Sequence, residues 1–146
     1  MLDNTQKESN LFKSIKKHVV DNLHRGSERI YTSFGFEEER PVGEDRFVIV
    51  LLSDFDSGTV SSARASFYMF SKTDDNGELA DLNDKVLDLF LDSNDPHGLR
   101  RISFVDETFT EFSKIIPYPQ PSSSRQRTND NLYMKYIDVV FRWGGK

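Results

Sequence analysis

The sequence predicts an α/β domain of the α+β type: a mostly antiparallel sheet of about five strands with two main helices packed on one face. Three observations carry this prediction. Apolar residues recur at helical spacing in two segments, Leu11 to Leu23 and Leu79 to Leu91. Arg46 to Leu52 and Val60 to Lys72 are rich in β-branched and aromatic residues and are joined by a short turn, the pattern of an antiparallel pair. The 146 residues match one ordinary domain, 1–146, long enough to bury about two-thirds of its unfolded surface without staples.

Leu11 to Leu23 reads as an amphipathic helix, with Phe12, Ile15, Val19 and Leu23 forming a stripe and Lys13, Lys16 and Lys17 lying off it. Ser9 or Asn10 is placed to cap the first turn, and Gly26 to close the end. Arg29 to Phe36 is rich in β-formers and reads as a strand, and Glu37 to Asp45, with Pro41 and Gly43, as a loop. The near-continuous apolar run Phe47, Val48, Ile49, Val50, Leu51 and Leu52 suits a central strand covered on both faces. After the turn Asp54 to Thr59, Ala63, Ala65, Phe67 and Met69 alternate with Arg64, Ser66, Tyr68 and Phe70.

Asp75 and Glu78 form a capping box for a helix running to about Leu91, whose core face is Leu79, Leu82, Val86, Leu89 and Phe90, widened by Leu87 and Leu91. Asn94, Pro96 and Gly98 end it. Leu99 to Val105 reads as a strand with Ile102 and Phe104 on one side. Asp106 to Ile116 fits two descriptions: Phe109, Phe112 and Ile116 have helical spacing, whereas Thr108, Phe109, Ile115 and Ile116 favour β. Pro117 to Asn131 carries three prolines, a serine triplet, Arg125 and Arg127, and reads as a long exposed, flexible loop within the domain, 117–131. Leu132 to Trp143 closes the chain as a strand with Tyr133, Ile137, Val139, Phe141 and Trp143 on one face. The expected core is the second helix's apolar face together with Phe47 to Leu52, Phe67 and Phe141.

With 36% hydrophobic and 29% charged residues, the chain is too apolar for a disordered protein and too polar for a membrane protein. No apolar run approaches the roughly 20 residues that cross a bilayer, and Met1 to Asn10 lacks the apolar centre of a signal peptide. The expectation is a protein that stays in the compartment where it is made and has no membrane partner. Without cysteine there is no disulfide, thiolate nucleophile or cysteine-bound zinc. A net charge of −5 argues against a surface that binds nucleic acid throughout, although Lys13, Lys16, Lys17, Arg125 and Arg127 leave room for local phosphate contacts.

FVIVLLSDFDSGT, Phe47 to Thr59, resembles the first motif of haloacid-dehalogenase-type phosphatases: a buried strand delivers two aspartates at its carboxyl end. That resemblance implies Asp54 as nucleophile and Asp56 as acid/base beside Mg²⁺. It departs from the pattern at Ser57, which shifts Gly58 and Thr59 by one position. The competing description is a tight turn stocked with Asp, Ser and Gly. Calcium-loop spacing is missing around Asp54 to Gly58 and Asp74 to Glu78, and His18, His24 and His97 lack paired-ligand spacing. No nucleophile elbow, P-loop or dinucleotide fingerprint occurs, and no cofactor is implied.

The order helix, strand, long two-strand meander, helix, strand, polar loop and terminal strand resembles the tail terminators, small tail-completion proteins of the neck of long-tailed bacteriophages. The resemblance is carried by Leu11 to Leu23, Phe47 to Leu52, Ala63 to Phe70, Leu79 to Leu91 and Tyr133 to Trp143. It implies a virion subunit, assembled in the host cytoplasm, that forms a ring, commonly a hexamer. Such a ring caps the tail tube, meets the head connector and lets DNA pass through its lumen without sequence-specific binding. The residues expected to make assembly contacts are Glu37, Glu38, Glu39, Arg40, Tyr118, Arg125 and Arg127, on the two polar arms. On this reading the chain is not an enzyme. A small nucleic-acid-binding protein is the remaining alternative.

Overall fold

In the computed structural model, residues 7–23, 30–34, 44–56 and 61–144 are described. Along the chain they form α1 (Glu8–Asn22), β1 (Tyr31–Ser33), β2 (Arg46–Asp56), β3 (Ser61–Ser71), α2 (Glu78–Asp88), β4 (Ile102–Val105), β5 (Glu111–Pro119), β6 (Gln126–Arg127) and β7 (Tyr133–Trp143). This is an α+β fold with two helices against a mostly antiparallel sheet curled into a half-barrel. The sheet order is β1-β2-β3-β7-β5-β4, with β6 beside β7. Only β1 and β2 run parallel among the described pairs.

Period-two alternation builds the centre of the sheet. β3 and β7 pair over eleven positions, from Ser61↔Trp143 to Ser71↔Tyr133. Ala63, Ala65, Phe67 and Met69 therefore share a face with Ile137, Val139, Phe141 and Trp143, and all are buried. Val48 and Val50 of β2 join them, as do Leu11, Ile15 and Val19 of α1 and Leu79, Leu82 and Val86 of α2. α1 lies mainly against β4, and α2 against β3 and β7. The expected core holds except at the end of the Phe47 to Leu52 run: Leu51 is 38% exposed, on the side of the sheet away from both helices, and Leu52 is only half-buried.

Among the described residues seven strands stand where about five were expected. β5 resolves the ambiguous stretch: the Asp106 carboxylate accepts the backbone N–H groups of Thr108 and Thr110 at 2.8 and 3.0 Å, closing a turn that a helix would have to break. Phe109 then takes a left-handed φ of 61° and stays exposed, and the chain enters β5 at Glu111. The stretch 117–131, expected as one exposed loop, starts inside β5 and contains β6. Between them the chain is laced along β7: Gln120 N–H donates to Asp138 O at 2.8 Å, and Ser123 N–H to Tyr136 O at 2.9 Å. The three prolines do not prevent this, because a residue at a strand edge can spare its N–H.

The cap of α2 also differs in one residue. Gly77, at φ 75°, precedes the helix, and Asp74 rather than Asp75 accepts the Leu79 N–H at 3.0 Å. Glu78 reaches back to the Asn76 N–H at 3.0 Å. Asp74 also receives Arg125 Nη1 at 2.9 Å; that bond, reinforced by Leu79 N–H, holds its carboxyl below the usual range. α1 starts at Glu8, so Ser9 and Asn10 lie inside it, and its expected terminator Gly26 lies outside the described residues.

Candidate functional site

The two faces of the sheet are unlike. The core residues of both helices belong to the cluster on one face, whereas the opposite cluster, Phe47, Ile49, Phe70 and Leu132, contains no helix residue. Strand pairing extends this second face beyond that cluster. Leu51 stands opposite Ser66, and Ser66 opposite Asp138; Arg64 stands opposite Val140, and Val140 opposite Tyr118; Ser62 stands opposite Arg142, and Arg142 opposite Ile116. Leu51 and Tyr118 are 38% and 37% exposed, and Val140, Ile116, Tyr68 and Tyr136 are half-buried. Arg142 lies over the Tyr118 ring at 5.4 Å, and the Tyr68 and Tyr136 rings lie 5.7 Å apart. An antiparallel sheet tolerates one wet face, but that face is normally polar. Large apolar and aromatic side chains gathered there make this face a candidate contact surface.

A second outward surface lies on α1. Phe12, expected on the buried stripe, is instead 38% exposed at its flank, its ring edge-on to Phe34 at 6.0 Å; Val20 is 40% exposed, and Phe109 beside them 54%. With Lys13, Lys16 and Lys17 they line a groove of about 500 Å³.

The residues singled out from the sequence fall in different places. Tyr118 lies on the open sheet face, on β5. Arg125 and Arg127 meet around one ring, their guanidinium carbons 5.1 and 4.6 Å from the centre of Tyr133, and Arg127 Nη1 donates to the Tyr133 hydroxyl at 2.7 Å. Arg125 is also held by Asp74, so it fastens β6 to the start of α2. Glu37, Glu38, Glu39 and Arg40 lie outside the described residues. Asp54 and Asp56 are exposed at the end of β2, where the register shifts between Ser53 and Asp56 and Asp54 takes φ 54°. β2 pairs in parallel with β1 and antiparallel with β3, the next described element. Among the described residues no group of three His, Asp or Glu side chains could hold a metal ion, and no helix is long and apolar enough to cross a membrane.

A polar cleft of about 310 Å³ between α1 and β4 is lined by His18, Lys17, Asp21, Arg101, Ser103 and Glu111, among others. Ser103 donates to Glu111, which also pairs with Lys114 at 2.6 Å. His18 is a structural link rather than a free base: its Nε2–H donates to Leu89 O at 2.7 Å, tying α1 to the end of α2. Burial pushes its pKa down, the Leu89 carbonyl opposes this, Arg100 adds to the lowering and Asp21 opposes it. The unfolded chain therefore takes up this proton more readily than the folded one. Stability is expected to be highest above the ordinary histidine pKa of about 6.5 and to fall as pH drops below it. Urea unfolding at several pH values between about 5 and 7.5 should show that decline in the wild type and a flatter profile in His18→Gln.

Sequence reasoning missed the open face as a unit. Its signal was present in the second register of the strands, where Ile49, Leu51, Tyr68, Tyr136 and Val140 occupy positions that alternation assigns to solvent.

No family model and no curated protein matches the chain. A solved structure bearing a serial designation, with no function in its name, is similar over 97% of this chain and 98% of its own, with a TM-score of 0.62 and 7% identity. The likeness is one of fold alone.

Proposed function

We propose that this chain is a structural assembly subunit of a long-tailed phage, a tail terminator whose ring caps the tail tube and joins it to the head connector. The observation that carries the reading is the sheet face on which no helix packs among the described residues, where Leu51, Tyr118, Ile116 and Val140 meet solvent. A second apolar surface on α1 lies on the helix side of the sheet. A subunit with two unlike contact surfaces suits a closed ring with stacked neighbours better than a lone monomer. On this reading the ring is hexameric, the tube and connector proteins are its partners, and DNA passes through the lumen without being read.

Light scattering with negative-stain imaging tests it. A closed oligomer is expected, formed by the protein alone or on added tail tubes. A strict monomer at high concentration that also ignores tail tubes would overturn the reading. One observation favours a second reading: Arg64 and Arg142 share the open face with Tyr68, Tyr118 and Tyr136, the ingredients of a stacking platform for single-stranded nucleic acid. Salt-sensitive binding of an oligonucleotide, lost in Arg64→Ala with Arg142→Ala, would favour it over assembly.

A further inference from the structure

We infer that the outer face of α1 is the docking site for the outer face of α2 from a second copy of this chain, and that this contact is the lateral joint of the assembly. The inference deepens the assembly reading and rests on it.

The α1 surface combines apolar area with positive charge. Phe12, Val20 and Phe109 are exposed, and Lys13, Lys16 and Lys17 line the groove between them. Lys13 Nζ sits 4.7 Å from the centre of the Phe109 ring, and Lys16 Nζ 5.4 Å from that of Phe34. Lys13 also donates to the Glu107 carbonyl at 3.2 Å. Lys17 holds Asp21 at 2.6 Å, but among the described residues neither Lys13 nor Lys16 has a carboxylate partner. In a chain of net charge −5, such a face selects an acidic partner with an apolar centre.

α2 offers that partner. Asp84 and Asp88 are exposed on successive turns, and Leu91, just past the helix end, is 40% exposed. Asp81, on the same stripe, is taken by Arg46 at 2.9 Å and Lys85 at 3.0 Å. Asp84 and Asp88 have no ion pair among the described residues. Asp88 is the last residue of α2, where a carboxylate faces the negative end of the helix dipole. A cation from a neighbour would offset that placement. Lys13 and Lys16, on successive turns of α1, can face Asp84 and Asp88, on successive turns of α2, while Phe12 and Val20 meet Leu91. Both helices bury their other sides in one core, which leaves these faces to an outside partner. The joined surfaces are unlike, so the contact passes head-to-tail from copy to copy, the kind of contact that builds a ring where the rotation closes.

The test is charge reversal. Lys13→Glu with Lys16→Glu and Lys17→Glu makes one variant, and Asp84→Lys with Asp88→Lys the other. Circular dichroism verifies folding, and light scattering follows mass for each variant and for their equimolar mixture. The expected result is that each variant is folded but needs at least a tenfold higher concentration to assemble, and that the mixture regains the wild-type mass. Wild-type assembly in both variants would overturn the inference and leave the ring reading standing. A mixture that regains only a dimer would support the helix contact and remove the ring. A wild-type chain that stays monomeric alone and binds tail tubes through its lysines would assign this face to a different partner and overturn the inference.

Discussion

Replacing Phe90 with alanine is expected to remove roughly 3–5 kcal/mol of folding stability. Phe90 is fully buried just past the end of α2. Its ring meets Phe67 of β3 edge-on at 5.1 Å and Phe141 of β7 at 5.9 Å, and His18 of α1 lies at 6.3 Å. One side chain therefore joins both helices to the two central strands. Truncation leaves a void among groups already fixed by strand pairing, so collapse can recover little of the loss. Urea unfolding should show the midpoint falling sharply, with the slope unchanged if the native state stays compact. Leu51→Ser on the open sheet face supplies the contrast. It should cost about 1 kcal/mol or less, because more than a third of the side chain is already in water. A large loss at Leu51, or a loss below about 1 kcal/mol at Phe90, would show that the core is centred elsewhere.

The same contrast explains what could be read from the sequence. The helices and the β2–β3 pair were legible because their apolar periods are long and uninterrupted; Phe67 and Phe141 fell on the core face by alternation alone. β5 was ambiguous because Phe109, Phe112 and Ile116 fit a helix, and only the Asp106 turn decides against it. The strand pieces within 117–131 escape a local reading for another reason. Their order comes from β7, whose Tyr133 and Met134 pair with β6 and whose backbone takes Gln120 and Ser123, and such partners are not local in sequence. Arg125 shows the cost of that blindness: it reads as a free cation in a polar stretch, yet it is held by Asp74, fifty-one residues away. Tyr118 was placed among the contact residues and does lie on the open face, but its company, Arg142 and Val140, follows from register that no local pattern displays.

Ser14→Ala is the second large effect, about 1–3 kcal/mol, although it deletes a single oxygen. Ser14 lies on the core side of α1 and is 2% exposed. Its hydroxyl donates to Asn10 O at 2.7 Å and accepts the Val105 N–H at 2.9 Å. β4 is the last strand of the sheet, so the Val105 amide faces an open edge and would otherwise have no strand to bond. The helix hydroxyl takes the place of that strand. Alanine removes the acceptor while leaving the amide covered by α1, which is the costly combination, because a buried donor stripped of its partner loses water as well. Hydrogen exchange at the Val105 amide should accelerate by more than the global destabilisation accounts for, as the α1–β4 seam opens locally. The lysine stripe on the outer side of α1 is aimed by this same seam, so assembly should weaken in Ser14→Ala although no contact residue has changed. Unchanged exchange at Val105 together with a loss below about 0.5 kcal/mol would mean that the amide finds another acceptor and that α1 is positioned by its apolar stripe alone.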